Sequence, residues 1–149
     1  MKTLKLEPEL IFEYYIKEIR VLAEQGVVIW NSGLTKSQSR DLEKIQKVAL
    51  RIILGENYIT YKSACEFFKI DSLFTRRSFL CTKFAIKLYK NDTSQTFFKH
   101  ASKVVNTRAD QPLLVENLCN TSKAYNAPHN YLTRLVNKNK SKIKIKSKC

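Results

Sequence analysis

Glycine and proline are scarce in this chain, three of each in 149 residues. Both residues interrupt helices, so their scarcity favours long ones. Histidine is scarcer still: His100 and His129 lie far apart and encode no zinc knuckle. The four cysteines, Cys65, Cys81, Cys119 and Cys149, are 16, 38 and 30 positions apart, spacings that match no metal or redox motif. No run of about 18 apolar residues occurs, so nothing is expected to span a membrane. The opening residues mix lysine with glutamate and carry no sustained apolar stretch, so no signal peptide is expected. The cysteines therefore read as reduced thiols of an intracellular protein, in the nucleus or the cytoplasm.

Acidic residues thin out after the first 30 positions. Residues 1–30 hold four Lys/Arg against five Asp/Glu, whereas residues 31–149 hold 23 against eight. The formal net charge is +14. So lopsided a distribution points to a polyanionic partner, RNA or DNA first and an anionic membrane surface second. Apolar residues make up 44%, enough for a modest core in one domain-sized chain.

The pattern predicts an all-α fold, a small bundle of four to five helices. A helical domain over residues 1–92 holds helices at about 8–30, 35–54, 59–68 and 71–91. Pro8 suits the first turn of the first, which carries Ile11, Tyr15, Ile19, Leu22, Ala23 and Val27 at helical spacing. Gly26 weakens its last turn or permits close packing, and Trp30 reads as structural. The second helix begins at about Thr35 and stops at Gly55, a good C-terminal cap. Its expected core stripe is Leu42, Ile45, Ala49, Ile52 and Ile53. Thr60 can cap the third helix and Asp71 the fourth, whose expected apolar face is Leu73, Leu80, Phe84 and Leu88. Residues 93–137 read as a loop-rich extension. It has a turn of helix at Phe97-Phe98, an extended run at Leu113 to Leu118 and a short helix at about 129–136. From 138 to 149 lysines alternate with Asn, Ser and Ile, a tail expected to be disordered because like charges repel and little can be buried.

The second helix carries the clearest signal. Lys36, Arg40, Lys44, Lys47 and Arg51 fall within about 80° of arc at about 100° per residue. They form a row about 22 Å long at about 1.5 Å rise per residue, able to follow a phosphate backbone. The bland alternative is a solvated face, but such faces mix signs; here Asp41 lies off the stripe and Glu43 flanks its edge. The fourth helix adds Arg76, Lys83, Lys87 and Lys90. Arg77 points inward instead, where it can lock two helices together or reach a phosphate at a groove's rim. Tyr14, Tyr15, Trp30, Tyr58 and Tyr61 suit the core better than base stacking. No Gly-rich phosphate loop, metal-ligand cluster, nucleophile elbow or converging carboxylate set occurs. No catalytic residue, metal site or cofactor is assigned, and the chain is not read as an enzyme.

Several separated motifs recur in order. Ile19-Arg20, Glu24 and Trp30-Asn31-Ser32-Gly33-Leu34-Thr35 resemble the pattern I-R-S-x-L-E-x-x-x-x-x-W-x-S-x-L-T. Leu42-Glu43-Lys44-Ile45-Gln46-Lys47, with Ala49 to Gly55, resembles L-E-x-x-Q-K-x-A-x-R-I-I-L-G. Tyr58, Tyr61-Lys62-Ser63-Ala64, Leu73, Arg76-Arg77, Leu80-Cys81 and Phe84-Ala85-Ile86-Lys87 continue the series. Asn120-Thr121-Ser122 and Pro128 through Asn137 resemble the closing N-T-x-R…SP-x-x-Y-L-x-x-L-L-N. Over residues 19–137 the chain thus resembles the region that follows the polymerase core in non-LTR retrotransposon reverse transcriptases of jockey-like mobile elements. Val21 and Ala23 depart from the first motif, and Lys123 and Ala127 from the last. The family's Y/F-x-D-D carboxylates and its endonuclease are missing from this sequence. The resemblance implies a non-catalytic segment of an RNA-directed DNA polymerase that follows the thumb and helps hold template and primer. Two other readings stay open: a helical interaction module that docks on a separate or missing polymerase core, and a decayed element copy with no selected role.

Overall fold

The computed structural model describes residues 6–91, 97–100 and 114–139. The fold is all-α, with one two-residue antiparallel strand pair among the described residues. The helices are α1 (Pro8–Tyr14), α2 (Arg20–Glu24), α3 (Val27–Trp30), α4 (Lys36–Leu54), α5 (Tyr61–Phe67), α6 (Leu73–Lys90), α7 (Ser122–Tyr125) and α8 (Pro128–Lys138). More helices form than the four to five expected, chiefly because the first is broken. A π-turn, Tyr15–Ile19, joins α1 to α2. Gln25 then leaves the helical region and Gly26 takes φ +64°, so α3 starts afresh. Only glycine takes that backbone without a Cβ penalty, and the expected helix 8–30 ends there.

Contacts divide the chain into two compact units. One comprises residues 1–27 and 34–77, the other 28–33 and 78–149. The expected boundary at residue 92 is therefore corrected. The second half of α6 belongs with the C-terminal region because Ala85, Leu88 and Tyr89 pack with Phe98, Leu114, Leu132 and Val136.

In the first unit, Tyr15, Leu50, Ile53 and Ala64 form the core, ringed by Ile11, Phe12, Phe68 and Ile70 among others. Phe12 stacks on Phe68 with ring centroids 4.1 Å apart. Helix α4 begins at a capping box: Thr35 Oγ1 accepts from the Gln38 N–H, and the Thr35 N–H donates to Gln38 Oε1. It stops at Gly55, φ +53°. Thr60 caps α5 by accepting from the Ser63 N–H. For α6 the cap is Ser72, which accepts from the Thr75 N–H. Asp71, expected in that role, is exposed and contributes its backbone carbonyl to Gln46.

The inward face of α4 is not its most apolar face. Gln46, Leu50 and Ile53 are buried, whereas Ile45 and Ile52 of the expected stripe are exposed. The helix is turned by roughly 80° from the expected orientation, taking about 100° per residue. Polar partners set this angle. Gln46 receives a hydrogen bond from the Tyr15 hydroxyl and donates to Tyr61 and to the Asp71 carbonyl. Ser39 accepts from Arg77. Helix α6 likewise buries Leu73, Arg77, Cys81 and Ala85, one residue per turn, and leaves Phe84 exposed.

In the second unit the pair β1 (Lys99–His100) and β2 (Leu114–Val115) lies against α8. Asn137 fixes that packing: its side-chain amide accepts from the Leu114 N–H and donates to the Leu114 carbonyl, both at 3.0 Å. Asn130, 3% exposed, accepts from the Asn117 N–H and donates to the Ala124 carbonyl and Cys119 Sγ. Arg134 lies 3.9 Å over the Tyr125 ring and pairs with Glu116. The expected helix at 129–136 forms and extends to Lys138. The rest of the lysine-rich tail lies outside the described residues, apart from Asn139.

Candidate nucleic-acid interface

The candidate interface is built on α4. Lys36, Arg40, Lys44, Lys47 and Arg51 are all exposed on this 19-residue helix. Lys44 pairs with Asp41 at 2.8 Å, both side chains largely in water. Its hydrogen bond and charge, with a smaller contribution from Arg40, hold the Asp41 carboxyl below the usual carboxylate range. Such an exposed pair is worth little and can re-form around a competing anion. Lys36, Arg40, Lys47 and Arg51 have no ion pair with a described residue.

Glu43 is the acid nearest the row in angle, and the fold takes it out of play. Its carboxylate turns toward α6 and accepts from the backbone N–H groups of Leu73 and Phe74 at 3.1 and 3.0 Å. It also accepts from the Tyr61 hydroxyl. Free N–H groups and the helix dipole make a helix N-terminus a good site for a carboxylate. One contact thus anchors α6 and leaves the cationic row without that counter-charge. Sequence reasoning gave Glu43 only a surface role, since nothing local reveals a cap supplied 30 residues away.

Arg76, grouped by helical spacing with Lys83, Lys87 and Lys90, is engaged differently. Its Nε donates to Glu24 at 3.2 Å, and Glu24 also holds Arg20 at 3.0 Å. Arg76 is thereby partly neutralised within the first unit. Lys83, Lys87 and Lys90 are exposed on the part of α6 that belongs to the second unit, again with no ion pair to a described residue.

Arg77 is 1% exposed and donates to Ser39 Oγ at 2.8 Å. It ties α6 to α4, the first of the two roles expected of it. Of the aromatics, Tyr15 is buried, Trp30, Tyr58 and Tyr61 are half-buried, and Tyr14 is exposed. Burial pushes the Tyr15 hydroxyl up to about 12, with the Arg20 charge opposing. Burial and the bond to Glu43 drive Tyr61 up as well. Both hydroxyls are structural donors held in the neutral form.

Among the described residues no group of three or more His, Cys, Asp and Glu stands close enough to hold a metal ion. Among the described residues, Cys65, Cys81 and Cys119 form no disulfide. Among the described residues no helix is long and apolar enough to cross a membrane. The chain matches no known family, no curated protein and no solved structure with which it was compared.

Proposed function

We propose that this chain is a non-catalytic, C-terminal region of a retrotransposon RNA-directed DNA polymerase that grips the phosphate backbone of template or primer without reading sequence. The ordered motifs between Ile19 and Asn137 carry the polymerase part of this reading. The single observation that carries the binding part is the five-cation row of α4, exposed along one side of a regular helix. Removal of Glu43 from that side leaves Asp41 as the one acid paired to the row among the described residues. Phosphates spaced along a strand can each meet a cation, and no side-chain pattern on this face distinguishes bases.

The binding reading is tested by titrating labelled single-stranded and duplex oligonucleotides against the full chain over a range of salt. Each neutralised phosphate contributes about 0.7–0.9 to the slope of log K against log salt. Replacing Arg40, Lys44, Lys47 and Arg51 by Gln is expected to reduce that slope by about 3 if all four contact phosphate. A slope unchanged by the four substitutions removes α4 from the interface. The polymerase reading is tested separately, by sequencing the genomic DNA immediately upstream for an intact or decayed polymerase frame.

A further inference from the structure

The turn of α4 that buries Gln46 has a second consequence, on the side of the helix that faces neither the core nor the cationic row. Ile45, Val48 and Ile52 are 42%, 54% and 69% exposed. With Ala49 and with Ile19 of the π-turn they line a groove of about 460 Å³, with Asp41 and Lys44 at one end. Three aliphatic side chains at i, i+3 and i+7 form a stripe along one helix, and a fourth stands on the opposite wall. A π-turn re-aims the side chains that follow it and is often found at functional positions. Here it supplies Ile19.

We propose that this groove is a docking site for an amphipathic α-helix of a partner protein, with an aliphatic face seated on Ile19, Ile45, Val48 and Ile52 and acidic residues along one flank. The groove is the right size for a small molecule but lacks the convergent polar groups that would orient one; its polar lining is the Asp41–Lys44 pair. An i, i+3, i+7 stripe is the register in which a helix lies in a groove. The acidic flank follows from charge. Lys44 and Arg51 are the members of the cationic row nearest the groove in angle, about 40° and 60° from Val48 on the helical wheel. A second copy of this chain is the wrong partner, because a net charge of +14 opposes self-association. Nucleic acid is the wrong occupant as well, since aliphatic walls offer no π-face on which bases stack.

The test uses the full chain and two labelled peptides of about 15 residues. Each has leucines at i, i+3, i+4 and i+7; one carries glutamates along a flank, the other lysines at the same positions. The glutamate peptide is expected to bind at least about tenfold more tightly at low salt than the lysine peptide. The paired substitution Val48→Ser and Ile52→Ser is expected to weaken it about tenfold or more, about 1.4 kcal/mol, since it removes two aliphatic side chains from the contact. Ile19→Ser, on the opposite wall, is expected to weaken it too. Leu10→Ser, at an exposed apolar position outside the groove, is expected to leave it unchanged. Oligonucleotide binding is expected to survive the serine substitutions, so that failure of the groove and failure of the cationic row read separately. Equal affinity for the two peptides overturns the proposal, as does peptide affinity unchanged by Val48→Ser with Ile52→Ser. It is equally overturned if those substitutions instead abolish a concentration-dependent dimer, or binding to vesicles of anionic lipid.

Discussion

The carboxylate of Glu43, near the middle of α4, accepts the backbone N–H of Phe74 at 3.0 Å in the first turn of α6. This is a helix cap supplied from another helix. It couples the orientation of α4 to the start of α6, and it fixes which charges of α4 remain facing solvent. Glu43→Ala is expected to destabilise the first unit by about 1–2 kcal/mol, the range of a lost cap at a helix N-terminus. Urea unfolding measures the loss. Hydrogen exchange at the Leu73 and Phe74 amides is expected to accelerate more than exchange in the middle of α4; uniform acceleration would count against a local capping role.

Gln46 is expected to be among the least replaceable residues of the first unit. It is fully buried and accepts from Tyr15 while donating to Tyr61 and Asp71. Gln46→Leu keeps the volume roughly constant but strands buried polar partners, each costing about 1–3 kcal/mol. A total loss of about 3 kcal/mol or more is expected by denaturant titration. A hydrophobic-core reading of α4 predicts the opposite sign, a gain.

The Tyr15 hydroxyl contributes to an alkaline limit that it shares with Tyr61 and Tyr131, whose hydroxyls burial also pushes up. The Tyr15 pKa rises from 10.0 to about 12 in the folded chain. The folded state therefore favours the neutral phenol. That contribution is fully present below pH 10 and is lost as pH climbs from 10 toward 12, where the unfolded tyrosine ionises first. Tyr15→Phe is expected to cost about 1 kcal/mol at pH 7, through the bond to Gln46. Over pH 10–12 its stability should fall less steeply than that of the unaltered chain. Parallel unfolding curves across that window would remove Tyr15 from the alkaline transition.

Gly55 separates strain from crowding. A Cβ built at this position meets no atom within 4 Å, yet its φ is +53°. Its ψ of −122° lies outside the left-handed helical region that Asn tolerates, so Gly55→Ala is expected to cost about 1–3 kcal/mol from backbone conformation alone and Gly55→Asn no less. Thermal unfolding of the two variants decides the order.

Leu132 is expected to matter to the second unit as Leu50 does to the first. It is 2% exposed in the cluster with Ala85, Phe98, Leu114 and Val136. Leu132→Ala is expected to cost about 2–5 kcal/mol by leaving a cavity. Loss of protection at the amides of α8 would report it, and amides of α4 are expected to be affected less.

Local chemistry made much of this legible in advance. Thr35 and Gly55 bracket α4 because a hydroxyl at one end and a positive φ at the other are properties of single residues, readable without a fold. Thr60 at the start of α5 follows by the same logic. Solvent exposure of Lys36, Arg40, Lys44, Lys47 and Arg51 was legible as well, since five clustered charges cannot be buried without partners.

What the sequence by itself determined, then, is helical character, most helix ends and the cationic row, because these depend on spacing along one helix. Tertiary structure decided the rest. It turned α4 so that Gln46 faces inward and Ile45, Val48 and Ile52 face out, moved the α6 cap from Asp71 to Ser72 with Glu43 behind it, and gave Arg76 to Glu24. It also assigned the second half of α6 to a core with Leu114 and Val136. Each of these outcomes depends on a hydrogen bond, an ion pair or a packing contact between residues far apart in the chain. Helical periodicity counts apolar positions and cannot see which polar group a distant side chain will satisfy.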